Sequence, residues 1–143
     1  MRYCGDWATS KERLVICAGK ARYAKGVGMA EKCMFCRIVA GEIPADIVYQ
    51  DEDFLAFRDI VPKAPTHLLI IPRAHITSVT ELAEGQEKLA GRLIMVARNL
   101  AEKEGVARKG YRLVINCGPE GGQVVRHLHL HLLGGRQMDA RLG

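Results

Sequence analysis

The sequence has no long apolar run, and this absence sets the first limit on its function. Its longest candidate, residues 14–19, is far shorter than the eighteen or more apolar residues that a membrane-spanning helix needs. Internal repeats and low-complexity segments are also missing. At 143 residues, 48% of them hydrophobic and 26% charged, the chain has the balance of one soluble globular domain with a substantial core. We expect no membrane partner.

The cysteines do not form the even, regularly spaced set of a small disulfide-stapled domain. There are five of them: Cys4, Cys17, Cys33, Cys36 and Cys117. An odd number in this spacing fits a reducing compartment better than a secreted one. The pattern therefore predicts a cytoplasmic protein.

A strong charge of one sign is missing from most of the chain. Residues 1–28 hold six Lys/Arg against Asp6 and Glu12, a net +4 out of the formal +5 of the whole chain, so residues 29–143 carry only +1. A polyanion-binding groove needs a basic excess, and we expect no nucleic-acid partner. A single phosphate site remains open, since backbone N–H groups can bind an anion.

The first 28 residues show neither a helical nor a strand period. We interpret residues 1–28 as a poorly ordered basic extension, with Met29 as the natural first residue and 29–143 as the folded domain. A transit peptide and a short ordered helix are the alternatives.

The rest of the chain alternates short strands with two helices. A short helix is expected from Met34 to Gly41, and the main helix between Glu84 and Glu104. Its apolar stripe is Leu89, Leu93, Val96, Ala97 and Leu100. Five strands are predicted, over 47–50, 54–58, 67–71, 111–116 and 124–133. This order indicates an α+β fold with a five-stranded antiparallel sheet, one main helix and a short N-terminal helix.

A row of histidines dominates the last predicted strand. His127, His129 and His131 alternate with leucines, which would place the three imidazoles on one face of the strand and the leucines in the core. Imidazole can ligate a catalytic zinc, or it can act as a nucleophile near neutral pH. The glycine-rich loop over 118–122 would bring backbone N–H groups beside the row, which favours a phosphate ligand.

The chain resembles the histidine-triad (HIT) family, and within it the nucleotide-binding branch of purine nucleoside phosphoramidases. The blocks that carry the resemblance lie at 57–60, 64–67, 71–75, 114–116, 121–123 and 127–138. It extends from about Cys33 to Met138, and the extension before Met29 has no counterpart in it. The resemblance implies a HIT-like fold.

The resemblance also implies catalytic roles. His129 would attack the α-phosphorus and become transiently nucleotidylated, and His131 would donate a hydrogen bond to a phosphate oxygen. His67 would lie behind the triad and hydrogen-bond to it. His127, the first histidine of the triad, completes the catalytic set.

A nucleotide-binding set is implied as well. Asp59 would accept hydrogen bonds from the ribose hydroxyls, and Ile60 would contribute to the base pocket. From the residues alone, Asp59 is better explained as a turn residue. The phosphate would contact His129 and His131. The other members of the set on the phosphate side are Asn116, Gly122, Gln123 and Val124.

Val124 departs from the branch, which usually has serine there. The resemblance implies that this serine hydroxyl assists the leaving amine, and a valine cannot do so. We therefore expect the backbone contacts to persist and the choice of leaving group to differ.

The pair Cys33 and Cys36 has the C-x2-C spacing of half a zinc site. By resemblance to zinc-bearing relatives, His75 and His127 would complete a closed site with a structural role. A redox pair and two unliganded thiols are the alternatives. No organic cofactor is expected.

The favoured hypothesis is a hydrolase of purine nucleoside 5′-phosphoramidates or related nucleotidyl substrates, acting through a covalent nucleotidyl-histidine. A nucleotide-binding scaffold with incidental hydrolysis and a zinc-water hydrolase are the alternatives. The family's usual dimer, which joins two sheets edge to edge, predicts a homodimer.

Overall fold

A computed structural model of the chain describes residues 33–142. The predicted extension over 1–28 and the start of the domain at Met29 therefore lie outside the described residues. The elements, in chain order, are α1 (Met34–Val39), β1 (Ile47–Gln50), β2 (Phe54–Arg58), β3 (Thr66–Pro72), a 3-10 turn (Val79–Glu81), α2 (Glu87–Lys103), β4 (Tyr111–Val114) and β5 (Leu130–Gly134).

All five strands form one antiparallel sheet in the order β1-β2-β3-β5-β4. The predicted α+β fold with one main helix and a short N-terminal helix is confirmed. Among residues 33–142, every helix is too short or too polar to span a bilayer.

The sheet has an apolar layer on each face. The α2 stripe predicted from the sequence is buried against one face, where it meets alternate strand residues such as Phe54, Leu68 and Leu132. On the opposite face, α1 packs Phe35 and Ile38 onto side chains of β2 and β3. Each such side chain contributes roughly 1.5–3 kcal/mol when fully buried. The helix α1 is thus fixed to the face that carries the histidines.

The last strand is shorter than predicted. The sequence indicated 124–133, whereas the sheet pairing begins only at Leu130. Upstream of it, the backbone N–H of His127 donates to Val125 O at 2.9 Å and that of Leu128 to Ile76 O at 2.6 Å. These hydrogen bonds replace the strand ladder. His127 and His129 therefore lie on an irregular segment, whereas His131 lies within β5, which begins at Leu130.

The fourth strand also ends early, at Val114 instead of Asn116. Beyond its last pair with His131, the chain turns away and the Asn116 amide lies 3.4 Å from Gly122 O. A loop contact thus takes the place of two predicted strand positions.

The register of β3 and β5 shows which loop lies at each end of this strand pair. The start of β3 pairs with the end of β5, Thr66 with Gly134, and Ile70 pairs with Leu130 at the start of β5. Because the strands are antiparallel, the loop between β2 and β3 lies at one end of this pair. The loop between β4 and β5 lies at the other. His67 and His131 lie in the strands between these loops, whereas His127 and His129 lie at the end of the loop between β4 and β5.

Candidate active site

A cavity of about 700 Å³ opens on the sheet face beside α1. Most of the predicted catalytic and nucleotide-binding residues line it: Asp59, Ile60, His67, Asn116, Gly122, Val124, His129 and His131. Gln123 and His127 are not among its lining residues. The structure thus brings together side chains that are up to 72 positions apart in the sequence.

The His129 ring is fixed by a backbone oxygen. Its Nδ1 lies 2.7 Å from the carbonyl oxygen of His127, and a carbonyl can only accept, so Nδ1 carries the proton. In the neutral ring the lone pair is therefore on Nε2. The edge of Phe35 on α1 packs against the ring at 5.3 Å between centroids. His129 is nearly buried, and its nucleophilic nitrogen is defined by the fold.

His131 and His67 form a second chain of hydrogen bonds. The backbone N–H of Lys63 donates to His67 Nδ1 at 3.1 Å, so the His67 proton is on Nε2. That Nε2–H lies 2.9 Å from His131 Nδ1 and donates to it. The His131 proton is then on Nε2, a buried atom with no hydrogen-bond partner in the described residues. An unpaired buried donor is costly, and a ligand oxygen would satisfy it.

These rings are held neutral. Burial, followed by the neighbouring His129 and His67, lowers the pKa of His131 to about 4. Burial also lowers the pKa of His67, although Asp59 partly opposes it. Near pH 7 both rings are thus neutral hydrogen-bonding groups.

Asp59 serves two contacts. Its Oδ1 accepts from the backbone N–H of Val61 at 2.8 Å, as in a turn, and its Oδ2 lies 3.4 Å from His67 Nε2. The turn explanation from the residues alone is thus correct, and Asp59 lines the cavity as well. Ile60 is 92% exposed at the cavity edge, where it presents an apolar surface to a ligand.

The glycine-rich loop offers fewer free donors than its composition indicated. The N–H of Gly122 donates to Pro119 O and that of Gln123 to Gly118 O, both at 3.0 Å. In the segment 122–124, only the Val124 N–H has no acceptor among the described residues. A bound phosphate would therefore meet one loop amide here.

The side chain of Gln123 anchors the glycine-rich loop by hydrogen bonds. Its side-chain NH2 donates to Thr77 O at 2.6 Å and to Val125 O at 3.0 Å, and its Oε1 accepts from Gly118 N. Gln123 thus positions the loop that carries Val124 and Gly122. Its predicted ligand contact remains a prediction.

The four predicted metal ligands converge at the N-terminal end of α1. Cys33 and Cys36 Sγ each lie 3.5 Å from His127 Nδ1, and Cys36 Sγ lies 3.2 Å from His75 Nδ1. All four ligand atoms lie within 4.8 Å of one another. Sulfur and nitrogen bound to one tetrahedral zinc lie about 3.5 Å apart. The spacing fits a metal ion.

The chemistry of these four side chains also fits a metal ion. His127 Nε2 lies 2.8 Å from the Pro72 carbonyl oxygen, to which it donates, so its Nδ1 lone pair faces the cysteines. Burial, with the neighbouring Cys33, raises the pKa of Cys36 to about 12. A cation would offset that penalty by stabilising the thiolate.

A second set of possible metal ligands is Asp59, His67 and His131, whose ligand atoms also lie within 4.8 Å of one another. The bond from His67 Nε2–H to His131 Nδ1 already occupies the nitrogen atoms that face each other. A metal there would displace that bond, which makes this set the weaker candidate.

Two contributors were missed by the sequence reasoning. Phe35 packs edge-on against both His127 and His129. The available signal was its place between two candidate metal ligands, Cys33 at the N-cap of α1 and Cys36 within the helix. The other is Gln123 as a loop anchor, whose partners lie in segments that no local pattern links.

Comparisons with known proteins agree with this geometry. Residues 40–138 match the family described as HIT domain. The chain is 52% identical over 114 residues to the purine nucleoside phosphoramidase of Escherichia coli strain K12, covering 80% of this chain and 96% of that protein.

Solved structures show the same likeness. A HIT family hydrolase from Legionella pneumophila is 51% identical, with a TM-score of 0.77 over 78% of this chain and all of that one. A histidine triad nucleotide-binding protein from Candida albicans is 28% identical, with a TM-score of 0.65 over 77% of this chain and 86% of that one. The chain therefore belongs to the HIT domain family, and these matches support an enzymatic role for it.

Proposed function

We propose that this protein hydrolyses purine nucleoside 5′-phosphoramidates or related nucleotidyl substrates through a covalent nucleotidyl-His129. The observation that carries the proposal is the hydrogen bond that His129 Nδ1–H donates to the His127 carbonyl oxygen, which leaves the Nε2 lone pair as the free position of a buried ring. The Escherichia coli relative named as a purine nucleoside phosphoramidase supports the substrate class.

The reaction has two displacements. His129 Nε2 forms a bond to the α-phosphorus while the P–N bond breaks, and the nitrogen keeps the electron pair and takes a proton from solvent as the free amine. Water then attacks the nucleotidyl-histidine, releasing the nucleoside monophosphate and restoring the imidazole. His131 Nε2–H would donate to a phosphate oxygen in both transition states.

The remaining lining residues suit a nucleoside. The Asp59 carboxylate can accept from ribose hydroxyls, and Ile60 offers an apolar surface to a purine. Asn116 and the Val124 N–H would meet the phosphate at the other end of the cavity. The cavity volume of about 700 Å³ is within the range of small-molecule sites.

The Cys/His cluster would hold a structural zinc. Two thiolates and two imidazoles satisfy the four positions of a tetrahedral ion, which leaves none for an activated water. When bound, the ion would join α1 to the segment that carries His129, because His127 is both a ligand and the backbone acceptor for His129. This favours nucleophilic histidine chemistry over a zinc-water mechanism.

The remaining proposals concern the setting of the enzyme. We place its HIT domain at 29–143 and its location in the cytoplasm. We also propose a homodimer, since β4 pairs only with β5 within residues 33–142 and has an open edge. Light scattering at micromolar concentration should give twice the monomer mass of 15.8 kDa.

The proposed mechanism is tested by comparing wild type with His129→Ala. The wild type should turn over an adenosine phosphoramidate, and the variant should lose at least ~1,000-fold in rate. A scaffold would bind the nucleotide with negligible turnover in both proteins. A zinc-water hydrolase would retain strong single-turnover activity without His129 and lose it on mild chelation without unfolding.

A further inference from the structure

The loop between β2 and β3 passes close to the end of β5. Gly134 pairs with Thr66 in the last pair of the ladder between β3 and β5. Gly135 follows it with a φ of +87°, and a Cβ there would lie 3.0 Å from Pro65 Cβ. Glycine thus permits both the turn and the close approach. The next residue, Arg136, therefore lies beside the loop.

Arg136 is an exposed residue whose guanidinium binds the backbone of Lys63. Its Nε and Nη2 donate to the Lys63 carbonyl oxygen at 3.2 and 3.1 Å, and its Nη1 donates to Gln137 O at 3.0 Å. Within residues 33–142, the Lys63 carbonyl accepts from no other group. Because the guanidinium is planar and rigid, two donors on one oxygen fix its direction as well as its distance. The Arg136 side chain thus holds Lys63 in place.

The N–H of the same residue, Lys63, is the donor that sets the tautomer of His67. It lies 3.1 Å from His67 Nδ1, which can accept only while it carries no proton. The His67 proton is therefore on Nε2 and is donated to His131 Nδ1 at 2.9 Å. The His131 proton is in turn on Nε2, the atom that would face a phosphate oxygen. The donor offered to the phosphate thus depends on the position of Lys63.

The loop has few other bonds that could maintain this arrangement. Two of the residues in 62–65 are prolines, which have no backbone N–H to donate. Asp59 Oδ2, 3.4 Å from His67 Nε2, favours the same His67 tautomer, but this distance is long for a hydrogen bond. Loss of the contact between Arg136 and Lys63 should therefore shift the tautomer equilibrium in part.

We propose that Arg136 is a positioning residue for catalysis, which fixes Lys63 so that the His67 and His131 protons are both on Nε2. The effect on the rate rests on the proposed function, whereas the tautomers are a property of the protein without substrate. Arg136 touches no reacting atom. It acts on the phosphate donor through one peptide group and two imidazole rings.

The opposite arrangement of protons would disable the site. If the Lys63 N–H moves away, the His67 proton can occupy Nδ1, and His131 Nδ1–H then donates to His67 Nε2. Each ring still carries one proton, so the pair gains and loses none. His131 Nε2 would then present a lone pair to the phosphate oxygen, which repels it in place of a hydrogen bond.

The tautomers are measured by long-range 1H–15N correlation spectra of the full chain labelled with 15N-histidine, near pH 7.5 and without substrate. His67→Ala and His131→Gln identify the two sets of signals. Wild type and the control Arg108→Met should show both rings as Nε2–H; Arg108 is an exposed arginine whose loss changes the net charge equally. Arg136→Met should show both rings partly as Nδ1–H, and Arg136→Lys, which keeps one donor, should lie between. Tautomers unchanged in Arg136→Met would overturn this inference.

A double-mutant cycle tests the route of the effect. With an adenosine phosphoramidate, kcat should fall about fivefold in Arg136→Met, the size expected of one hydrogen bond, and KM should change little. In the His67→Ala background, Arg136→Met should cause no further loss, because Arg136 acts through His67. Equal losses in both backgrounds would overturn this inference alone. A wild type that hydrolyses no phosphoramidate would overturn the proposed function, and with it the catalytic role of Arg136.

Discussion

The backbone carbonyl oxygen of His127 lies 2.7 Å from Nδ1 of His129, so one residue serves both candidate sites. The His127 side chain belongs to the Cys/His cluster, whereas its carbonyl sets the tautomer of the proposed nucleophile. The cluster and the triad are therefore mechanically linked.

His67→Ala should lower kcat/KM at least ~tenfold, because it removes the N–H that keeps the proton of His131 on Nε2. His67→Gln retains a side-chain amide donor at a similar distance and should recover part of the loss. Steady-state kinetics with an adenosine phosphoramidate measures both. Equal activities for His67→Ala and wild type would show that His131 needs no partner.

Stability should depend on pH through His131. Its folded pKa of about 4 is below the ordinary value of 6.5, so between these values the unfolded chain binds a proton that the folded protein does not. Stability from this group is fully present above pH 6.5 and falls as the pH drops toward 4. Urea unfolding from pH 7.5 to 4.5 should show a smaller loss for His131→Gln than for wild type. Parallel curves would contradict this assignment.

Removing the metal should destabilise the fold and loosen His129. A chelator should lower the Tm of wild type by ~10 °C or more, since a structural zinc site contributes several kcal/mol to folding. Cys36→Ser, which removes one ligand, should begin with a low Tm and respond little to the chelator. Scanning calorimetry with metal analysis measures both effects. If the wild type contains no metal and its Tm is unchanged by the chelator, the alternatives of a redox pair or free thiols would be favoured.

Gly121→Ala should distort the glycine-rich loop. A Cβ at this position would lie 2.2 Å from Cys117 O, so the backbone must move. We expect a loss of about 1–3 kcal/mol in the free energy of unfolding and a higher KM. Gly91→Ala on α2 is the matched control, because its Cβ would meet nothing within 4 Å and alanine favours a helix by up to ~1 kcal/mol. Similar losses in both variants would count against a special role for the loop.

The sequence predicted the sheet and α2 well because their apolar periods are local signals. The five leucine, valine and alanine positions of the α2 stripe are all buried. The predicted start of β5 was wrong. Non-local hydrogen bonds from Leu128 N–H to Ile76 O and from the Gln123 side chain to Thr77 O prevent the strand from forming earlier. No period in the sequence encodes such bonds.

The site was predictable in its membership and less so in its detail. The resemblance named residues that the structure places around one cavity, with Gln123 and His127 behind it. The tautomers of His67, His129 and His131 depend on backbone groups of Lys63 and His127. These are tertiary contacts, and only the structure shows them.

Intact-mass spectrometry of the protein quenched during turnover tests the central claim most directly. Wild type mixed with an adenosine phosphoramidate should gain the mass of one adenylyl group, mapped by peptide fragmentation to His129 and lost on further incubation. The His129→Ala protein should gain none. Rapid hydrolysis by the variant, or an adduct on another residue of the wild type, would contradict the proposal that His129 is the nucleophile.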